Sequence, residues 1–180
     1  SDANLILNKG STSKIVDTNV TLDLNGYTFS RTGSSSGAIS LTQGSGLTIR
    51  DSSDAKTGKI LVDTYAVWMM NGDFVLESGT IETTSAKNAA IYANAAEVAV
   101  KAGKIVSAGD AITVGENFME SRGASTIAIF GGEIVATGVG IKNGSYAQAT
   151  TAVTITGGKI DSDGDSISFT TGSVQVSGGT

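Results

Sequence analysis

Phe74-Val75-Leu76-Glu77-Ser78-Gly79-Thr80-Ile81 is echoed downstream by Val98-Ala99-Val100-Lys101-Ala102-Gly103-Lys104-Ile105. The same order of residue types returns as Ile127-Ala128-Ile129-Phe130-Gly131-Gly132-Glu133-Ile134 and as Val153-Thr154-Ile155-Thr156-Gly157-Gly158-Lys159-Ile160. Each copy places two apolar residues on either side of one other, then a short gap, a glycine, any residue and an isoleucine. Upstream, Leu47-Thr48-Ile49 reaches its Gly58-Lys59-Ile60 only after an inserted Asp51–Thr57 loop. The earliest copy reads Leu22-Asp23-Leu24-Asn25-Gly26, and the last is Val174-Gln175-Val176-Ser177-Gly178. A repeat of this length built from short alternating segments specifies a solenoid.

Aligned on their first apolar residue, the copies begin at Leu22, Leu47, Phe74, Val98, Ile127, Val153 and Val174, with spacings between 21 and 29 residues. Uneven spacing suits stacked strands joined by loops of variable length. A second apolar column follows in each repeat: Ile39, Val67, Ile91, Ile112, Ile141 and Ile167. Successive strand side chains face opposite ways, so these six point inward and stack. The isoleucine after each glycine starts a third short strand, and the glycines fit corners that need a positive φ or close backbone approach. The expectation is an all-β fold: a right-handed, single-stranded parallel β-helix of about seven coils with three short strands per coil.

Composition agrees with that reading. The 180 residues hold 24 glycines, 39% hydrophobic residues and only 6% aromatics, which favours short strands and tight turns over helices. The chain contains no proline, no cysteine and no histidine. Without cysteine there are no disulfides and no thiolate metal sites. Without histidine there is no Ser-His or Cys-His nucleophile pair and no histidine zinc site. A net charge of −5 argues against nucleic acid or an anionic membrane as the main partner. No apolar stretch approaches the length of a membrane span and no signal peptide is present. Residues 1–180 read as one domain, excised from a longer protein and cut off within its last coil. Residues 1–17, with Leu5, Ile6, Leu7, Ile15 and Val16, read as a partial first coil or cap, and residues 1–3 as a cloning remnant.

On these residues the chain resembles the right-handed parallel β-helix, or pectin-lyase-like, superfamily over residues 18–180. More narrowly, Val20-Thr21-Leu22-Asp23-Leu24-Asn25-Gly26-Tyr27-Thr28-Phe29 is similar to the opening coil of β-helix modules in large bacterial cell-surface proteins. The resemblance implies a fold shared by lyases, hydrolases, tailspikes and adhesins. Enzymes of the superfamily carry calcium-binding aspartates with a proton-abstracting arginine, or three aspartates near a histidine and an Arg-x-Lys sequence. Arg31, Arg50 and Arg122 lie in no such motif.

The expected columns place the candidate sites. Arg50, Glu77 and Lys101 alternate in sign on successive coils, the pattern of an ordinary surface ladder. The outward column of the second strand reads Ser40, Trp68, Tyr92, Thr113, Lys142 and Ser168. Trp68 and Tyr92 therefore fall on adjacent coils and form a candidate platform for a sugar ring, with Thr113 and Lys142 placed to orient hydroxyls. The competing reading has the Asp51–Thr57 loop or a neighbouring domain covering the aromatic pair. Asp161-Ser162-Asp163-Gly164-Asp165 has the alternating acids of a calcium loop but lacks the later bidentate glutamate, and reads as a solvated turn. Phe118, Met119 and Arg122, in the longest irregular stretch, read as folding back over the solenoid. Thr21, Thr48 and Thr154 do not make the continuous column an ice-binding face needs.

These readings converge on a non-catalytic module of a bacterial surface protein, extracellular or at the cell surface. Its role is adhesion, carbohydrate binding or rigid spacing, with no cofactor and no metal. The expected partners are a glycan or a host surface component, or a second copy stacking end to end on an uncapped coil. The alternative is a fragment of a polysaccharide lyase or glycoside hydrolase whose catalytic coils lie elsewhere.

Overall fold

The computed structural model describes residues 13–15, 18–33, 37–42, 44–115, 123–144 and 150–180. Among them the chain forms strands and no helix. A leading strand β1 (Ser13–Ile15) is followed by the first coil: β2 (Asn19–Asp23), β3 (Thr28–Arg31) and β4 (Ile39–Leu41). Next come β5 (Ser45–Arg50), β6 (Lys59–Val62) and β7 (Val67–Met70), then β8 (Gly72–Leu76), β9 (Thr80–Thr83) and β10 (Ile91–Asn94). The fourth coil is β11 (Glu97–Val100), β12 (Lys104–Ser107) and β13 (Ile112–Val114). The fifth is β14 (Thr126–Ile129), β15 (Glu133–Ala136) and β16 (Ile141–Asn143). The sixth is β17 (Ala152–Ile155), β18 (Lys159–Ser162) and β19 (Ile167–Ser168), and β20 (Ser173–Val176) stacks beyond it.

Every third strand joins the same parallel sheet, which gives three sheets and a parallel β-solenoid. The expected fold class holds. The coil count is corrected from about seven to six complete coils, because the sheet starting at β3 has six strands where the other two have seven.

The core is three inward columns, one per sheet. Leu47, Phe74, Val98, Ile127 and Val153 stack in the first, and Phe29, Ile60, Ile81, Ile105 and Ile134 in the second. Ile39, Val67, Ile91, Ile112 and Ile141 stack in the third, all buried. Parallel pairing in register puts like on like, so each coil covers the apolar face of its neighbour.

The earliest copy of the repeat departs from the sequence alignment. Val20, not Leu22, lies opposite Leu47, while Leu22 lies opposite Ile49. A two-residue slip keeps every side chain on its own side of the strand, so apolar alternation is blind to it. In the observed register Asp23 falls opposite Arg50 and the two side chains meet at 3.0 Å, while the Gly26 N–H reaches the Asp51 carboxylate. Thr21 therefore heads the outward column that continues through Thr48 and Val75, and Asp23 takes the corner position opposite Arg50.

At the corner after the first strand, Gly79, Gly103 and Gly132 adopt φ of +88°, +83° and +81°. A Cβ on Gly103 would lie 2.6 Å from the Gly79 carbonyl oxygen, and one on Gly132 would lie 2.7 Å from that of Gly103. Glycine is required twice over, by dihedral and by the closeness of the coil below. The inserted loop solves the same corner differently. The Asp51 carboxylate, 2% exposed, accepts the backbone N–H groups of Gly26 (2.8 Å), Gly58 (2.7 Å) and Ser53 (3.1 Å).

Candidate functional site: an aromatic stack on an outer sheet face

The outward column of the sheet containing β7 and β10 pairs Ser40 with Trp68, Trp68 with Tyr92, Tyr92 with Thr113, Thr113 with Lys142 and Lys142 with Ser168. Strand alternation dictates this placement: Val67 and Met69 point inward, so Trp68 between them points out. The indole and phenol rings lie 6.1 Å apart with planes inclined by 16°, an offset stack. Tyr65, in the turn before β7, meets Tyr92 edge-on at 5.7 Å and 63°. Tyr92 is 3% exposed and Thr113 is 1% exposed, whereas Trp68 and Lys142 are half-buried.

All four expected residues therefore lie in one column, but they do not share one accessibility. Trp68 presents the partly open aromatic surface, and Tyr92 backs it. Lys142 Nζ is 2.6 Å from Asp110 Oδ2, and the other oxygen of that carboxylate accepts the Val139 N–H at 2.8 Å. The lysine is thereby tied to the β12–β13 turn of the preceding coil.

The Asp51–Thr57 loop engages a different corner. Its hydrogen bonds run to Asp23, Asn25, Gly26 and Ser78, around β2, β3 and β8. The ring packed on Tyr92 besides Trp68 is Tyr65, which strand alternation could not identify because it sits in a turn.

A second feature was missed in the sequence. Arg31, read there only as one of three arginines without a catalytic motif, is 1% exposed and donates from Nη1 to the Gly37 carbonyl at 2.7 Å. Its position at the inward end of β3 is the cause, since Phe29 and Arg31 share a side of that strand. Burial pulls the guanidinium below its ordinary value, while the negative charge of Asp63 acts in the opposite direction. Gly37 in turn abuts the aromatic site: a Cβ there would lie 2.5 Å from Trp68 Cβ. The buried arginine thus anchors the backbone over which Trp68 sits.

Elsewhere the outer faces carry ion pairs between coils. Lys101 meets Glu77 at 3.3 Å, Lys59 meets Glu82 at 3.0 Å and Lys104 meets Glu133 at 2.8 Å. The alternating Arg50, Glu77 and Lys101 belong to such a ladder, begun by Asp23. Hydrogen bonding and charge from Lys104 hold the Glu133 carboxyl below its ordinary value, against a smaller desolvation effect. Asp161 pairs with Lys159 at 2.7 Å, and Asp161, Asp163 and Asp165 are all exposed. Among the described residues no three acidic side chains gather as a metal site would require. Phe118, Met119 and Arg122 lie outside the described residues.

No family model matches the chain, and no curated protein or solved structure matches it.

Proposed function

We propose that this chain is a non-catalytic solenoid module, pectin-lyase-like in descent, from a bacterial secreted or cell-surface protein, and that it binds carbohydrate through Trp68. The observation that carries the reading is the outward Trp68–Tyr92 stack, in which a half-buried indole packs against a buried phenol. An aromatic face whose rotamer is fixed by its neighbours loses little entropy when a sugar ring stacks on it. Gly37 and the Arg31 anchor beneath it add to that rigidity. Glu77, Glu82 and Glu133, which pair with cations of neighbouring coils, support a structural role for the faces that carry them.

A glycan-array screen identifies the ligand, and titration of the selected oligosaccharide then quenches or shifts Trp68 fluorescence. Trp68→Ala weakens that binding severalfold, because one stacking ring contributes about 1 kcal/mol. Unchanged affinity in this variant, with its circular dichroism intact, would remove the site.

A further inference from the structure

The sheet formed by β2, β5, β8, β11, β14, β17 and β20 has a shallow trough on its outer face. Its floor is made of small side chains, Val75, Ala99 and Ala128, in register on successive coils. One wall carries Asp73 and Glu97, which are direct partners across the ladder and both exposed. The opposite wall carries Phe130, 53% exposed. The other large exposed apolar residues among those described, Val20, Val174 and Val176, lie on the first and last strands of this sheet. Phe130 instead lies inside the stack, where the equivalent positions on earlier coils are Asp23, Arg50, Glu77 and Lys101. A phenylalanine in a column of charges remains wet unless something covers it.

The charges of the two walls differ in kind. Lys101 on the Phe130 side is already committed to Glu77. Neither Asp73 nor Glu97 pairs with a cation among the described residues, and like charges directly opposite on neighbouring strands repel. A cationic group placed against both would relieve that repulsion, which a neutral sugar cannot do. We infer that this trough is a docking surface for a basic segment of a partner protein. Its lysine or arginine side chains meet Asp73 and Glu97, and an apolar side chain covers Phe130. The surface is on a different sheet from Trp68 and does not depend on carbohydrate binding there.

The test is fluorescence anisotropy at physiological salt with a labelled octapeptide in which lysine alternates with leucine. The same peptide with glutamate in place of lysine serves as the comparison. The lysine peptide is expected to bind and the glutamate peptide not to. Affinity for the lysine peptide should fall about fivefold or more in the Asp73→Asn/Glu97→Gln double variant, and comparably in Phe130→Ala. Asp163→Asn/Asp165→Asn removes the same charge from a distant turn and should leave affinity unchanged. An equal loss in that control would reduce the effect to overall charge and overturn the assignment. So would full affinity in both trough variants, or no binding by the lysine peptide. Sedimentation that shows a dimer abolished by Phe130→Ala would give the face to a second copy of the chain instead. Circular dichroism establishes that each variant is folded.

Discussion

Ile112 sits in the middle of the column Val67, Ile91, Ile112 and Ile141, with no exposed surface, and each neighbour is an apolar residue in register. Truncating it leaves a void that the coils above and below cannot close without breaking their ladders. Ile112→Ala should therefore cost about 2–5 kcal/mol in urea unfolding; a loss under about 0.5 kcal/mol would contradict the observed register. Asp51 is the polar counterpart. Burial raises its pKa, but hydrogen bonds from Ser53, Gly58 and Gly26 outweigh that, so the folded value lies below the ordinary 3.8. A depressed carboxylate stabilises the fold at pH above its unfolded value, and that contribution disappears as pH falls through the folded value. Asp51→Asn keeps the shape but turns an N–H donor toward a backbone N–H, which should cost about 1–3 kcal/mol near neutral pH. The gap between the variant and the parent should narrow below about pH 4. A gap independent of pH between 3 and 7 would show that the charge contributes nothing.

Among the elements, the corners and the charge ladders carry different weights. Gly132 combines a left-handed backbone with a Gly103 carbonyl 2.7 Å from where a Cβ would stand. Gly132→Ala must strain the turn between β14 and β15 or lift one coil off another, at a cost of about 1–3 kcal/mol. Thermal unfolding checks this, and an unchanged midpoint would mean that the corner yields freely. The ladder on the outer face of β12, β15 and β18 is the contrast. Glu133 contacts Lys104 at 2.8 Å and Lys159 at 3.8 Å, but all three side chains are more than a third exposed. Solvent screens such pairs, so Glu133→Gln should change stability by less than about 1 kcal/mol. A larger loss in the same unfolding assay would mean that the ladder couples the coils.

At the scale of the molecule, each coil touches only its neighbours, so stability is distributed along the axis. Side chains of β9 and β12 alternate between buried and half-buried, whereas those of β18 are half-buried or exposed and those of β20 are all exposed. Local opening is cheaper where less apolar surface must be uncovered. Amide exchange should therefore be slowest at Ile81 and Ile105 and measurably faster at Ile160 and Val174. Uniform protection along the axis would instead mean that the whole solenoid opens as one unit.

The sequence by itself determined the strands, their parallel stacking and the inward columns. These depend on local alternation and a glycine corner that each coil restates, whatever the length of the loops between them. It also placed Trp68, Tyr92, Thr113 and Lys142 in one column, because register follows once the inward isoleucines are aligned. The tertiary structure decided the rest. It set the first coil two residues from where the apolar pattern put it, since a slip of two leaves alternation intact and only polar contacts between the coils, such as Asp23 with Arg50 and the Gly26 N–H with Asp51, distinguish the two. It buried Tyr92 while leaving Trp68 partly open, because accessibility on an outer face depends on turns that have no period. It brought Asp73 and Glu97 opposite each other beside an exposed Phe130, a meeting of residues on three coils that no stretch of sequence displays.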